Sequence, residues 1–455
     1  MRRWMVTIAP VWLAVGSCPS LSAQPALDSG PLDLAQAVHY ALDHAPTLTV
    51  AHASVDSAAA QKLGAVAAFL PSLSLTDQPE SFTPVTPAGS SVVGGVVIPN
   101  GHGYTANVTS AVLNMPLFVG GKNVANYRSS LKALSSASLA LTAALDTTLD
   151  QLLTDFAATC VDQIAIEHQQ RVVQLDQHVV ELTVLRVRGT VADQVDLLQA
   201  QQQALQTQAQ LSQSRQQHIA DLEKVYADMG FPQITHNAVL RPWIPEAPVV
   251  PSEDAAIADD PAVGAARDAI SAAEEKVSAA RAEHYPTVAL SFQYNFIGVD
   301  PSSLRRAFDD TRANNYSVGL NITVPLLPFL NASADIDSAR AAVRNAQGQY
   351  QGALVSATNR VSDALLKLEE ARTTLDLATR SADLARRNLQ LVQDRYTARQ
   401  ADQRDVDSAR VTATQAEQSF AGAEINFRLA SWEHYRALFP QEFPTALLAA
   451  FAQSR

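Results

Sequence analysis

Cysteine is almost absent: Cys18 and Cys160 are the only two in 455 residues. So few thiols cannot staple a chain of this length, and Cys160 has a disulfide partner within the chain only if Cys18 survives maturation. Aromatic residues make up 6% and glycine only 18 positions, while Ala, Leu, Gln, Ser and Asp crowd the long middle sections, a balance that suits extended helices better than compact α/β domains. Basic residues are outnumbered, 33 against 45 acidic, for a net charge of -12. With no basic patch to hold phosphates, nucleic acid is excluded as a partner. No apolar run of 18 residues follows the N-terminal segment, so no transmembrane helix is expected.

Catalytic signatures are missing too. The ten histidines show neither HExxH nor zinc-type Cys/His spacing, so no metal and no cofactor is expected. The stretch GGKN at 120–123 lacks the upstream Gly and the following Ser or Thr of a phosphate loop and reads as a turn feeding a helix. Ser129 and Lys132 match SxxK without the partner motifs that such a nucleophile needs. The chain is read as no enzyme, and His434 as a packed or interface residue.

What is present begins with an export signal. Arg2 and Arg3 precede an apolar run from Met5 to Gly16 and then the small residues SCPSLSA. Cleavage after Ala23 makes 1–23 a signal peptide; VGSC, ending at Cys18, resembles a lipobox that would acylate that cysteine. Beyond it the chain is written twice. Pro46 and Pro71 stand 25 residues apart around an alanine-rich segment, as do Pro261 and Pro286. LNMPLF at Pro116 answers ITVPLL at Pro325, and ADQVDLLQAQ from Ala192 answers ADQRDVDSAR from Ala401, both at an offset of 209 residues.

Each half reads helix, strand, strand, then two long helices. The first repeat, 24–230, has strands at about 72–80 and 104–115 and helices at about 122–186 and 193–230. A Pro-rich connector occupies 231–260. The second repeat, 261–439, has strands at about 286–297 and 314–324 and helices at about 331–397 and 402–438, before a tail at 440–455. In the last strand Tyr316, Val318, Leu320, Ile322 and Val324 alternate with Ser317, Gly319, Asn321 and Thr323. In the second, Ala106, Val108 and Val112 alternate with Thr105, Asn107 and Thr109. Polar or glycine-rich loops at 76–103 and 298–313 split each strand pair. Along the helices, Ala364, Leu368, Ala371, Leu375, Ala378, Ala382 and Ala385 recur at alternating steps of three and four, a coiled-coil seam. A helix over 122–186 is about 100 Å long at 1.5 Å per residue.

Strands of about ten residues with one apolar and one polar face, in an exported chain, match the outer-membrane barrel pattern. Four strands cannot close a barrel alone, and hydrocarbon tolerates no open edge, so several chains must contribute. An exported coiled-coil structural or adhesion protein with a small soluble sheet is the rival reading.

The duplicated plan, the paired Pro segments, MPLFVGGKN after the second strand and the two ADQxD segments resemble the TolC-like family of outer-membrane efflux and secretion channels, over about 32–439. The resemblance implies a homotrimer whose chains share a twelve-stranded barrel in outer-membrane lipid, continuing into a long helical tunnel through the periplasm. It also implies a periplasmic adaptor, an inner-membrane pump of RND or ABC type, and passive export of small molecules or proteins. By the matching motif, Asp196 and Asp405 follow the helix tips and Arg186 and Arg395 precede them; with Asp407 they are candidates for a periplasmic aperture. Gly189, Thr190 and Arg399 are candidates for docking the adaptor, although Thr190 and Arg399 stand where family tips usually carry glycine. From the residues alone, Asp193 and Asp402 read as N-caps, with Asp196 and Asp405 three residues on, where a carboxylate suits the helix dipole.

Overall fold

The computed structural model describes residues 31–82, 90–93, 96–99, 104–189, 193–231, 240–248, 260–300, 303–309, 311–325 and 329–453. The signal segment with Cys18, the tip residue Thr190 and most of the connector lie outside the described residues.

Helices carry most of the chain. The first repeat opens with α1 (Leu34–His44) and α2 (Pro46–Ala67), then sends strands β1 (Ser72–Phe82) and β4 (Tyr104–Val119) into the long α3 (Lys122–Arg188) and α4 (Gln194–Asp228). The second repeat runs α5 (Pro261–Arg281), β5 (Thr287–Asp300), β6 (Thr311–Thr323), α7 (Phe329–Thr397) and α8 (Gln403–Leu438). The spaced prolines have a common cause. Pro46 and Pro261 each sit at the first position of a helix, where the missing N–H costs nothing and φ is already set. Pro71 and Pro286 follow those helices and lead into the strands. Gly120 and Gly121, both at positive φ (64° and 86°), make the turn from β4 into α3. A Cβ on Gly120 would lie 2.5 Å from the Ala282 carbonyl, so glycine is required there.

Three regions differ from the sequence expectation. The loop at 76–103 contains the end of β1 and a further hairpin, β2 (Ser90–Val93) with β3 (Val96–Pro99). The loop at 298–313 contains α6 (Leu304–Asp309), whose Ala307 is fully buried against Gly298. The tail contains α9 (Phe443–Gln453), and Phe443 and Leu447 are part of the main core. Short apolar runs such as VVIP and ALLAAF do not reveal their partners, which is why periodicity alone passes over them.

That core packs the middle of α3 against the C-terminal parts of α4 and α8. Leu149, Leu152 and Phe156 of α3, Leu222 and Val225 of α4, Trp432 of α8 and Phe443 are all buried together. The connector is pinned across it: the Trp432 indole donates to the Pro245 carbonyl at 2.8 Å and Arg428 to the Ile244 carbonyl at 2.8 Å. Beside this core lies a buried charge cluster. Arg436 Nε donates to both oxygens of Asp146 at 3.0 Å, and its Nη1 reaches Asp150 at 2.7 Å. Arg360 reaches Asp260 at 2.8 Å, and Asp260 also caps α5. The cluster thereby ties α3, α5, α7 and α8. Burial pushes the Asp146 and Asp150 carboxyls above the usual carboxylate range, with Arg436 opposing it. Replacing Arg436 removes the main partner of both acids and leaves Asp146 with only the longer contact to Arg360 at 3.9 Å, so Arg436→Met is expected to cost about 3 kcal/mol, measured as a lowered denaturation midpoint of the purified chain.

Candidate functional site

Two ends of the molecule carry the chemistry, and the first is the sheet. Its order is β1-β4-β5-β6, antiparallel throughout, so each repeat supplies one hairpin and β4 joins β5 across the repeats. The register lines up whole rows. Leu73, Leu113, Phe292 and Val318 stand opposite one another, and Leu75, Ala111, Tyr294 and Tyr316 form the row above. Between them, Ser74, Val112, Gln293 and Ser317 point the other way. On that polar face Ser110 donates to Asn295 at 2.7 Å and Asn295 to Asn315 at 2.9 Å.

One phase therefore differs from the expected alternation. Ala106, Val108 and Val112 share the face of Ser110, and the apolar face of β4 is carried by Ala111, Leu113 and Met115, because pairing of Leu113 to Leu73 and Phe292 decides the register. From Val288 to Phe296 the apolar face of β5 covers about 26 Å of strand at 3.3 Å per residue. Asp77, Asn107 and Thr109 close its far end with hydrogen bonds of 2.6 to 3.4 Å. Leu73 is 74% exposed, Tyr316 72% and Val318 64%. A contiguous apolar face of this kind is not left to water by a soluble sheet. No described helix is long and apolar enough to cross a membrane.

The second end is the pair of tips where the long helices reverse. Asp193 caps α4 by accepting from the Gln194 N–H at 2.6 Å, and Asp196 lies in the first turn. Asp402 caps α8 by accepting from the Gln403 N–H at 2.7 Å, and Asp405 reaches back to the Asp402 N–H at 3.0 Å, completing a capping box. Arg395 ends α7 as an exposed side chain. Asp407 does not stand beside Asp405 at the surface. It is 1% exposed, turned between the helices, and accepts from Gln403 at 3.2 Å.

The arginine that engages this tip comes from the other repeat. Arg186, near the end of α3, donates to Asp402 at the start of α8. That hydrogen bond holds the Asp402 carboxyl below the usual carboxylate range. Position in sequence gives no hint of the contact, because 216 residues separate the pair. Gly189 ends α3, and Arg399 occupies a left-handed conformation at φ 58°. There the Gln400 N–H returns to the Arg395 carbonyl at 2.8 Å, the 6→1 bond of a Schellman turn, which favours glycine. The remaining polar candidates have ordinary structural partners. Ser129 donates to the Ala272 carbonyl at 2.8 Å, and Lys132 pairs with Asp268 at 3.1 Å. His434 is buried on α8, and burial pushes the Cys160 thiol up to about 12, which leaves it inert.

A membrane-type amphipathic sheet set on antiparallel helices, of which α3 and α7 run about 100 Å and their partners α4 and α8 about half that, defines the class of outer-membrane channel proteins. The sequence profile described as outer membrane efflux protein matches residues 37–230 and 254–437, and the chain belongs to that family. Solved structures agree at the level of fold. The outer membrane protein VceC from Vibrio cholerae is 21% identical with a TM-score of 0.72, over 89% of this chain and 95% of that one. The CmeC channel of Campylobacter jejuni is 15% identical with a TM-score of 0.74, over 91% and 86%. The MtrE channel of Neisseria gonorrhoeae is 18% identical with a TM-score of 0.68, over 89% and 88%. Comparison with curated protein sequences finds no match. The chain is an outer-membrane efflux duct with its helical part in the periplasm, and the structural or adhesion reading has no support among these matches.

The Arg186–Asp402 pair contributes above the ordinary carboxylate range and is lost as pH falls through the lowered Asp402 value. At Arg399 a side chain occupies a left-handed position at a cost of about 1–2 kcal/mol. Arg399→Gly is therefore expected to stabilise the second tip, by up to about 1 kcal/mol once the added freedom of the unfolded chain is subtracted. Slower amide exchange at Ala398 to Gln400 would register it.

Proposed function

We propose that three copies of this chain share one barrel of twelve strands and one helical tunnel, through which cargo passes outward passively and without catalysis. The carrying observation is the state of the sheet edges: β1 and β6 each have one hydrogen-bonded neighbour among the described strands, and lipid admits no strand with unpaired N–H and C=O groups. Three as the number of copies follows from the resemblance to TolC-like channels. Exposed leucines at heptad spacing on α7 (Leu377, Leu384, Leu391) and on α4 (Leu198, Leu205) give the helices apolar stripes for neighbouring copies.

In this reading 1–23 is removed as an export signal or Cys18 is acylated. The tips face the periplasm, where Asp405 and Asp196 line an aperture that Arg186 and Arg395 help to hold. Gly189, Thr190 and Arg399 dock a periplasmic adaptor, which couples the duct to an inner-membrane pump of RND or ABC type. Small molecules or secreted proteins are the cargo.

Purified protein in planar bilayers is expected to form ion-conducting pores, and a monodisperse water-soluble monomer would contradict the assembly. Asp405→Ala is expected to weaken cation selectivity or divalent-cation block in single-channel recordings. Unchanged conductance, selectivity and block would leave Asp405 with its capping role alone.

A further inference from the structure

The two helical hairpins are built on one plan, yet their seams differ. Along α3, Asp155, Asp162, Gln169 and Asp176 recur every seven residues. Along α4, Thr207, Ser214, Asp221 and Asp228 do the same in antiparallel register, so that Asp155 faces Asp228 and Asp162 faces Asp221. Further along the seam Thr207 donates to Asp176 at 2.8 Å, and Gln169 donates to Gln210 at 3.2 Å. At the repeat offset of 209 residues the equivalent positions are Ala364, Ala371, Ala378 and Ala385 on α7 and Ala416, Ala423, Ala430 and Ala437 on α8. A hairpin of this geometry closes on alanine, as the buried cluster of Ala382, Ala385, Ala413 and Ala416 demonstrates. The acids of the first hairpin are therefore not a packing requirement.

The two Asp–Asp contacts also leave polar atoms unmatched. Oδ2 of Asp162 and Oδ2 of Asp228 are buried and receive no hydrogen bond from any donor group. A carboxylate is acceptor-only, and its neighbour here is another carboxylate. One proton held between each pair turns two acceptors into a donor and an acceptor and removes one of two like charges. The surroundings are sparse in charge. Lys224 of α4 binds Asp221 at 2.6 Å, Gln217 donates to Asp221 at 2.9 Å, and Gln151 donates to Asp155 at 2.8 Å. His218 of α4 faces Asp221 and the Thr159 carbonyl, and burial holds its imidazole below the usual histidine value. From α1, α8 and α9, the neighbouring core contributes Tyr40, Trp432 and Leu447, and the charged groups that bear on Asp162 and Asp228 are Asp221, Lys224 and Asp155.

We propose that Asp155–Asp228 and Asp162–Asp221 are proton-sharing clasps that hold α3 to α4 and release as pH rises, a pH-sensitive device present in the first hairpin and absent from the second. With both protons gone, Asp155, Asp162, Asp221 and Asp228 stand together in the seam, where Lys224 pairs with Asp221, and repulsion loosens the hairpin beside the core. Burial pushes Asp162 up to about 6 and Asp228 up to about 7, each aided by its partner's charge and hydrogen bond. At Asp221 burial acts in the same direction, but the hydrogen bonds from Lys224 and Gln217 outweigh it and hold that member of its pair low. For the raised members the folded chain keeps protons that the unfolded chain has lost. Their stabilisation is complete below the ordinary aspartate value of 3.8 and disappears as pH rises through about 6 to 7.

Asp162→Asn with Asp228→Asn tests this, because an amide supplies the donor permanently. In the wild-type chain purified in detergent, the thermal midpoint is expected to fall between about pH 5 and about pH 8. The difference between wild type and D162N/D228N should follow the release of about two protons per chain over that interval. The infrared band of protonated carboxyls at about pH 5.5 should be weaker in the double variant. Parallel midpoint curves, or an infrared band unchanged by both substitutions, would overturn the proposal. Should the double variant fail to fold, D162N and D228N are read singly. Wild type with no protonated carboxyl at about pH 5.5 also overturns it.

Discussion

Backbone hydrogen bonding at the margins of one small sheet governs the rest of this molecule. Four strands place every apolar side chain of Leu73, Leu113, Phe292 and Val318 on one face and Ser74, Gln293 and Ser317 on the other. Such a sheet is stable neither in water, where its apolar face is bare, nor alone in lipid, where the outer N–H and C=O groups of β1 and β6 have no partner strand among the described residues. Both deficits are removed together only where further strands continue the sheet at each edge within a membrane. In the proposed assembly the long helices follow from the same constraint, since β4 ends at Val119 and β6 at Thr323 and the chain runs on into α3 and α7, which would carry whatever the barrel encloses across the periplasm.

Duplication lets one plan serve both halves while individual positions diverge. Pro46 and Pro261 start equivalent helices, and Asp193 and Asp402 cap equivalent ones. The seams between the long helices have taken different courses, alanine in the second hairpin and carboxylates, amides and hydroxyls in the first. Close Ala packing gives a contact that no change of pH alters. Carboxylate pairs give one that depends on bound protons, at similar geometry. The tips diverge as well: α3 ends on Gly189, whereas the second reversal puts Arg399 into a left-handed conformation.

Much of this was legible from residues because period and punctuation are local. Alternation in 314–324, the three-and-four steps of α7 and the proline spacing each report a backbone state within a few residues. What escaped detection depends on partners distant in sequence. Val112 takes the polar face because Leu73 and Phe292 decide the register of β4. α9 joins the core because Trp432 and Phe156 leave an apolar surface to cover. Asp407 reads like a companion of Asp405 until the packing of α3 against α8 buries it, and the Arg186–Asp402 bond spans the two repeats. The acid pairs of α3 and α4 were written in heptads, but only the antiparallel register shows that they meet.

The sheet margins offer the most direct test. Hydrogen–deuterium exchange of the protein in outer-membrane vesicles reports whether the outward amides of β1 and β6 have partners. Pairing with neighbouring copies predicts protection at these edges equal to that of the interior strands β4 and β5. Edge amides that exchange as freely as those of an exposed loop, while β4 and β5 stay protected, would contradict the account.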